Sequence, residues 1–469
     1  MDFYLKINGI RIEWSSRNKI RLDRFNPMFD YETIQGSRVA DFTIPFSPSA
    51  DKLFNWYYLP QSQYKPIEYY TEKYAYGELI ERGIVYLVDV NNDGYVVAFT
   101  QNLGEFFGDY QTVMLDKLPF GSEEIPAILV ANPDISTAKY VFPSIRNSSF
   151  YGTESALWYN GIVNEYSGGN YVAGVTKTPL LFVRFLFDKM AILSNFSYEG
   201  EFFTSEFFKR IIIYNTFSLD DLTAIEYANH LPTDITFPQL LIELRKLFNV
   251  VFFFDVQRRV ITGKFVRTLM NQPTKLNWTG KIAPSKNRTP LLNNRLSLNW
   301  ELESNDELMK VTPIDFLKYD SIGTGILFEL KTKISTLNVS EGLAITKQVG
   351  ISKRLAQGAN SFKTRILFWN GMASGIPTAT NTYGDVRLAW HGTNNLVDRF
   401  WAETQDWRSR TSMKPVLANI SATDLAILDW HSRNGENICL HSYGKDYYIA
   451  NLKAQLPLTD AVELELWER

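Results

Sequence analysis

Asp89-Val90-Asn91-Asn92-Asp93-Gly94 sets oxygen-bearing side chains at alternate positions before a glycine, as the first half of a calcium-binding EF-hand loop does. The twelfth position of such a loop needs a bidentate Glu and here holds Thr100. Its flanks alternate with period two where an EF-hand has helices, so the segment is read as a hairpin turn. Cys439 and His441 stand two residues apart, which puts both on one face of a strand and admits a nucleophilic pair. The competing reading, a buried inert thiol inside a strand Ile438-Cys439-Leu440, is preferred. Gly169 and Gly174 have the gap of a phosphate-binding loop, but Val175-Thr176-Lys177 follows in place of Lys and Ser/Thr. Gly323-Thr324-Gly325 lacks a third glycine, and both glycine pairs are read as loops.

Carboxylates also come in pairs: Asp220 with Asp221, Glu301 with Glu303, Glu463 with Glu465. A glycosidase needs two such groups at a set separation across a cleft. With 51 acidic residues in the chain, neighbours of this kind arise by chance, and solvated faces are expected. The histidines His230, His391, His431 and His441 are scattered, which supports neither a serine triad nor a two-histidine metal site. No catalytic, cofactor-binding or metal-binding residue is assigned, no cofactor is expected, and the chain is not expected to be an enzyme.

The elements that would have to position any site belong to a chain of 469 residues, 45% apolar and 21% charged, which is ordinary globular usage. Its 48 basic against 51 acidic residues leave a net charge of −3, without the basic footprint of a dedicated nucleic-acid binder. One cysteine excludes an intrachain disulfide framework and a multi-thiolate zinc site. The start, Met1-Asp2-Phe3-Tyr4-Leu5-Lys6, lacks the regions of a signal peptide, and no apolar run approaches the roughly 20 residues that span a bilayer. A soluble product of cytoplasmic synthesis, with no membrane insertion, is expected. The unusual quantity is the aromatic content, 32 Phe, 25 Tyr and 11 Trp. Aromatic side chains favour strands and contact surfaces, and core packing and subunit interfaces are expected to absorb most of them. Trp56-Tyr57-Tyr58 and Tyr69-Tyr70-Thr71-Glu72-Lys73-Tyr74 are the stretches best suited to a ligand platform.

Alternation predicts a first hairpin over Phe3 to Trp14 about Asn8-Gly9, a strand at Val39 to Phe46, and a second hairpin of Gly83 to Val90 with Tyr95 to Thr100. Pro45 cannot donate to a ladder, which places the Val39–Phe46 strand at, or ending at, a sheet edge. Residues 101–175, rich in Gly, Pro, Ser and Asn, read as loops with few regular elements. Thr178-Pro179 predicts a helix start before Leu180 to Phe187, and a shorter helix is expected over Ser205 to Arg210, followed by a strand at Ile211 to Tyr214. Thr236 and Gln239 have capping-box spacing before Leu240, Leu241, Leu244, Leu247 and Phe248; Asn249 suits the cap, and a hairpin of Val250 to Phe254 and Arg259 to Phe265 follows. Further on come short strands such as Leu296 to Trp300 and Ile326 to Leu330, and a helix over 396–407. A strand at Leu417 to Ile420 precedes a turn-rich Ser421 to Asp424. Tyr447 to Leu452 and Val462 to Leu466 are the closing strands. The expected class is α+β with β predominating. Three segments are expected: a β domain over 1–125, an α+β insert over 126–275, and a second β-rich domain over 276–469 that contains the late helix.

Four of these segments, in this order, carry a family resemblance. The first is Ser37 to Ser47 with Asp51-Lys52-Leu53-Phe54, built on Phe42-Thr43-Ile44-Pro45. The second is Thr178 to Met190 followed by Phe196 to Phe208, and the third is Phe237 to Phe265. The fourth joins Leu396 to Trp407, Ala418 to Asp429, Tyr447 to Leu452 and Val462 to Leu466. Together they resemble a family of tail proteins from phages of Bacteroidota hosts, similar to the baseplate or tail hub proteins of tailed phages. The span from about 290 to 390 matches weakly, so a function particular to this chain would sit there.

The resemblance implies β-barrel-like tube domains joined by an α+β insert, assembled as a ring, three-fold as hubs usually are. It implies a hub or distal-tail ring that closes or continues the tail tube and anchors baseplate or fibre proteins. Tail tube, tape-measure and fibre or baseplate proteins would be its neighbours, with DNA passing unbound. Its place would be the virion tail, after synthesis in the host cytoplasm. Edge strands such as Val39 to Phe46 would then pair between subunits. Two alternatives are a receptor- or glycan-binding tail protein using the Tyr/Trp-rich stretches, and a tail-associated wall hydrolase.

Overall fold

Asn8 and Gly9 both take positive φ, 46° and 81°. This is the geometry that an Asn-Gly hairpin turn requires. They join Phe3–Ile7 to Ile10–Glu13 as an antiparallel pair. A computed structural model of the chain describes residues 3–14, 19–34, 38–63, 67–100, 104–152, 159–255, 258–355 and 358–469. The fold is α+β with β predominating, as the patterning implies.

Its main feature is a 13-stranded sheet that draws on both ends of the chain. From the edge strand Ile10–Glu13 the order runs Phe3–Ile7, Tyr69–Ala75, Glu78–Asn91, Gly94–Thr100, Arg38–Pro45 and Ile20–Phe25. It then crosses to Lys445–Leu456, Val462–Glu468, Ser412–Ala418 and Thr289–Pro290. Ile20 to Phe25 pair antiparallel with Leu456 to Asn451, over four hundred residues away. Cys439–Ser442 pairs with the start of the Lys445–Leu456 strand, and Leu276–Asn277 pairs parallel with Cys439–Ser442. Val462, Leu464 and Leu466 point inward between Glu463 and Glu465, so the last strand presents one apolar face as its alternation predicts. The helix Ala422–Arg433 lays Leu425 and Leu428 on the core of this sheet.

Gly94 marks a close approach inside the sheet. A Cβ there would lie 2.1 Å from the Ile44 carbonyl oxygen, and its φ of 147° is one that side chains avoid. Gly94→Ala is expected to force the Arg38–Pro45 and Gly94–Thr100 strands apart. The expected cost is about 1–3 kcal/mol, read as a lowered urea midpoint at unchanged m value.

A second core lies in the middle of the chain. The Phe237–Phe248 helix starts on the expected capping box: Thr236 Oγ1 accepts from Gln239 N at 3.3 Å, and Gln239 Oε1 accepts from Thr236 N at 3.0 Å. It ends at Asn249, whose φ of 48° is left-handed, and the hairpin Val250–Asp255 with Val260–Phe265 follows. Phe202, Phe208, Phe248, Phe252 and Phe265 form a continuous lattice of ring contacts there. Phe182, Phe185 and Phe187 are buried in the same core. A third, small cluster of Met28, Val251, Phe253, Leu269, Trp407 and Tyr448 packs this hairpin on the C-terminal strands.

Four local expectations are corrected. Thr178-Pro179 does not start a helix: Leu180 and Leu181 pair with Val141 and Tyr140, Asn164 clamps the backbone of Thr178, and the helix begins at Val183. The helix expected over Ser205–Arg210 is only a 3-10 turn at Phe208–Arg210, and the turn of α-helix nearby, Glu201–Thr204, precedes that range. Ser421 to Asp424 is no loop but the capping box of the Ala422–Arg433 helix, since the residues that make turns also cap helices. Arg38–Pro45 is not wholly an edge strand: Arg38 and Val39 pair on both sides, with Asp23 and Leu22 and with Thr100 and Phe99. The other residues given partners, Phe42 to Pro45, pair only with the Gly94–Thr100 strand, and Pro45 is the last of them.

Candidate interaction sites

Each motif that suggested chemistry has a structural occupation. Asn91 Oδ1 accepts from the N–H groups of Asp93 (2.9 Å) and Gly94 (3.1 Å), closing a hairpin turn in place of a calcium loop. Gly168 and Gly169 form the turn between Tyr166–Ser167 and Asn170–Tyr171. Lys177 Nζ, the nearest lysine, is spent on the carbonyls of Val172 and Val175 at 2.8 and 2.7 Å. Cys439 is buried, and burial pushes its thiol up to about 12, so no thiolate is available near neutral pH. His441 bonds Asp446 across the hairpin at 2.7 Å.

The carboxylate pairs part company with the expectation of solvated faces. Asp220 is buried and accepts from Tyr151 and Ser352, while Asp221 faces Arg354 at 3.3 Å. Glu303 is fully buried and accepts from the backbone N–H of Asn305 and Lys363, whereas Glu301 pairs with Lys363 Nζ at 2.7 Å. Asp221 and Glu463 are the exposed carboxylates foreseen, while Glu465 is half-buried and accepts from Trp467 Nε1 at 3.1 Å. Among the described residues, no three of His, Cys, Asp or Glu stand where they could share a metal ion. No described helix is long and apolar enough to cross a bilayer.

Two buried ion pairs and one buried histidine carry no sequence signal. Lys73 and Glu81 pair at 2.7 Å with neither side chain exposed, and the Lys73 ammonium lies 3.3 Å over the Phe99 ring. Burial lowers Lys73 to about 8 against the raising effect of Glu81. Arg365 and Asp306 pair at 2.7 Å in the second core. His230 is buried with Nδ1 3.2 Å from Asn215 Oδ1, and burial pulls it down to about 3, so it is held neutral. A period-two or period-3.6 pattern marks such positions only as polar.

Among the described residues, two groups of exposed apolar side chains bear on function. Near the N-terminal sheet, Phe46, Trp56 and Tyr58 are 40–44% exposed. Phe46 packs against the rings of Tyr58 and Tyr95 at 5.0 and 5.2 Å. Asn55 and Trp56 are both held at positive φ, 52° and 47°, by backbone bonds from Trp56 N to Asp51 and from Leu59 N to Trp56. A bulky residue kept in that region needs its surroundings to hold it there. Tyr69 to Tyr74 is instead a sheet strand with Tyr69 inward and Tyr74 stacked on Tyr4. The second group lies between residues 292 and 326: Leu292, Val311, Ile314, Ile322 and Ile326 are all at least 62% exposed. Leu292 and Ile326 are joined by a backbone bond of 3.0 Å.

No protein-family model matches the sequence, and no curated protein matches it. Among solved structures, the chain is similar to the 43 kDa tail protein of prophage MuSo2 from Shewanella oneidensis, at 10% identity and a TM-score of 0.39. That alignment covers 100% of this chain and 98% of the other. It is also similar to prophage tail protein gp18 from Listeria monocytogenes EGD-e (9% identity, TM-score 0.36, 100% and 94% covered). A tail protein from Neisseria meningitidis MC58 aligns at 8% identity and a TM-score of 0.36, covering 99% and 95%. Likeness at this level fixes neither fold nor function.

Proposed function

We propose that the chain is a structural subunit of a bacteriophage tail, forming the hub or distal ring that closes or continues the tube and anchors baseplate or fibre proteins. The observation that carries this reading is a surface one. A single open sheet, built from both chain ends, stops at Ile10–Glu13 with no described strand on its outer side, and large aliphatic side chains stand exposed at 292 and 311–326. An open edge and uncovered apolar area are liabilities in a monomer and assets in a ring, where the next copy covers them. The ordered four-segment resemblance supports the same reading and supplies the three-fold expectation. Tube, tape-measure and fibre or baseplate proteins are the proposed neighbours, with DNA passing through unbound.

The purified chain is expected to form a closed ring by light scattering and negative-stain microscopy at micromolar concentration. The double substitution Ile314→Asp and Ile322→Asp should weaken assembly at least about tenfold while leaving circular dichroism unchanged. A well-behaved monomer would overturn the reading, as would absence of the chain from immunogold-labelled virion tails.

The exposed, conformationally held Trp56 favours one second reading, recognition of a host glycan by the Phe46, Trp56 and Tyr58 surface. Glycan-array binding by the full chain, lost in Trp56→Ala, would support it; an array without signal would end it.

A further inference from the structure

The third cluster borders a cleft of about 610 Å³ between the C-terminal strands and the middle of the chain. Its walls are aromatic: Phe29 packs 5.3 Å from Trp407 and 6.3 Å from Trp467, and Phe328 and Tyr31 stand opposite. Arg408 lines it while being only 8% exposed, its guanidinium 4.0 Å over the Phe328 ring. Nη2 donates to the Asn293 carbonyl at 2.5 Å, and Nε has no hydrogen-bond partner. Among the described residues no carboxylate stands within ion-pair distance of Arg408.

A buried guanidinium without a counter-ion is costly, and proteins normally pair it. The two acids that line the same cleft are committed elsewhere. Asp30 accepts from Thr33 and from the backbone N–H of Glu32 and Thr33, and Glu465 accepts from Trp467. The cleft is of the size that binds ligands, apolar on its walls, with one convergent cation at its side. It shares Asn451 and Glu465 with a neighbouring groove of about 490 Å³. That groove runs along Met413, Pro415 and Leu417, beside the Ala283–Asn287 segment. A compact small molecule would fill only the first part of so extended a depression.

We propose that this cleft is a docking site for a peptide segment of another protein, one that presents a carboxylate to Arg408 beside an aromatic side chain seated among Phe29, Trp407 and Trp467. The guanidinium, whose Nη2 is already engaged by the Asn293 carbonyl, offers the carboxylate its positive charge and its remaining amino group, and the rest of the segment lies extended in the adjoining groove. The inference does not rest on the tail reading, because it follows from the unpaired cation and the shape around it.

The test is calorimetric titration of the full chain with acetyl-Gly-Asp-Phe-Gly-amide and with its Asp-to-Asn counterpart at millimolar concentration. The acidic peptide is expected to bind at least about tenfold more tightly, the difference that a charge-assisted bond supplies. Arg408→Gln should abolish the preference. Leu291→Trp, which fills the cleft and keeps the arginine, should abolish binding of both peptides and keeps the test open should the arginine variant fail to fold. Equal affinity of the two peptides, no binding of either, or a preference that survives Arg408→Gln would overturn the proposal. So would 3-phenylpropionate binding as tightly as the acidic peptide, since the cleft would then be a pocket for small carboxylates.

Discussion

Asp306→Ala is expected to destabilise the protein by about 3–5 kcal/mol, the range found when one partner of a buried ion pair is removed. Asp306 is wholly buried and collects four bonds. It accepts from Arg365 Nη1 at 2.7 Å, from the Thr346 hydroxyl, and from the backbone N–H groups of Lys347 (2.9 Å) and Leu308 (3.0 Å). It therefore ties the Arg365–Ala373 strand to the Leu343–Thr346 strand and caps the 3-10 turn Glu307–Met309. The alanine leaves the Arg365 guanidinium, 1% exposed, with Gln348 as its remaining polar side-chain partner along with the Thr346 hydroxyl. Two contributions are separable by a cycle. Asp306→Asn with Arg365→Met keeps an acceptor for the two backbone N–H groups and removes the orphaned charge, so it should recover part of the loss. Urea denaturation of the four variants reads the coupling. If the double variant were as unstable as the sum of the single ones, the charge would not be the source of the cost.

Acid is expected to unfold the chain through His230. Its folded-state value of about 3 lies below the ordinary 6.5, because burial disfavours the charged imidazolium. Between those values the unfolded chain binds a proton that the folded one refuses. Stability is therefore fully present above pH 6.5 and falls by about 1.4 kcal/mol for each pH unit as pH drops toward 3. By pH 4 this one side chain should remove about 3 kcal/mol. His230→Phe keeps a ring against Phe217, at 5.2 Å in the native packing, and leaves Asn215 Oδ1 still accepting from Phe217 N at 3.0 Å. The variant should lose less stability than the parent between pH 7 and pH 4 in matched urea titrations. Parallel curves would show that carboxylates elsewhere, and not His230, set the acid limit.

Neither residue stands out in the sequence. Asp306 lies in Ser304-Asn305-Asp306-Glu307, which reads as a solvated turn, and His230 is one histidine among four without a companion. Arg408 reads as a cation in the last turn of a helix, where a solvated charge is the usual expectation. What separates these positions from ordinary polar ones is the chain that folds over them. The same holds for the carboxylate pairs, of which Glu303 is sealed in a core and Glu463 faces solvent although both stand two residues from another Glu.

Local interactions were legible wherever they involve residues within a turn or two of each other. Asn8-Gly9 could take the positive φ its hairpin needs, Thr236 and Gln239 could satisfy each other's backbone, and Val462, Leu464 and Leu466 could only face one side of a strand. The aromatic surplus likewise pointed to packing, and the phenylalanine lattice about Phe202 and Phe248 is where much of it went. The Ser421 capping box is not distinguishable from a turn in the sequence, because the same hydroxyl and carboxylate serve a turn as well as a helix start.

By itself, then, the sequence determined the class, α+β with β predominating, and the short-range pieces from which it is built, since period and capping act within a few residues. Only the tertiary structure decided that Ile20–Phe25 would lie against Asn451 to Leu456 and make one sheet of the two chain ends. It also decided that Arg408 would be buried beside an aromatic cleft with no carboxylate among the described residues within ion-pair distance. Backbone ladders carry no side-chain code for a distant partner, and a charge becomes costly only when the rest of the chain has removed its water.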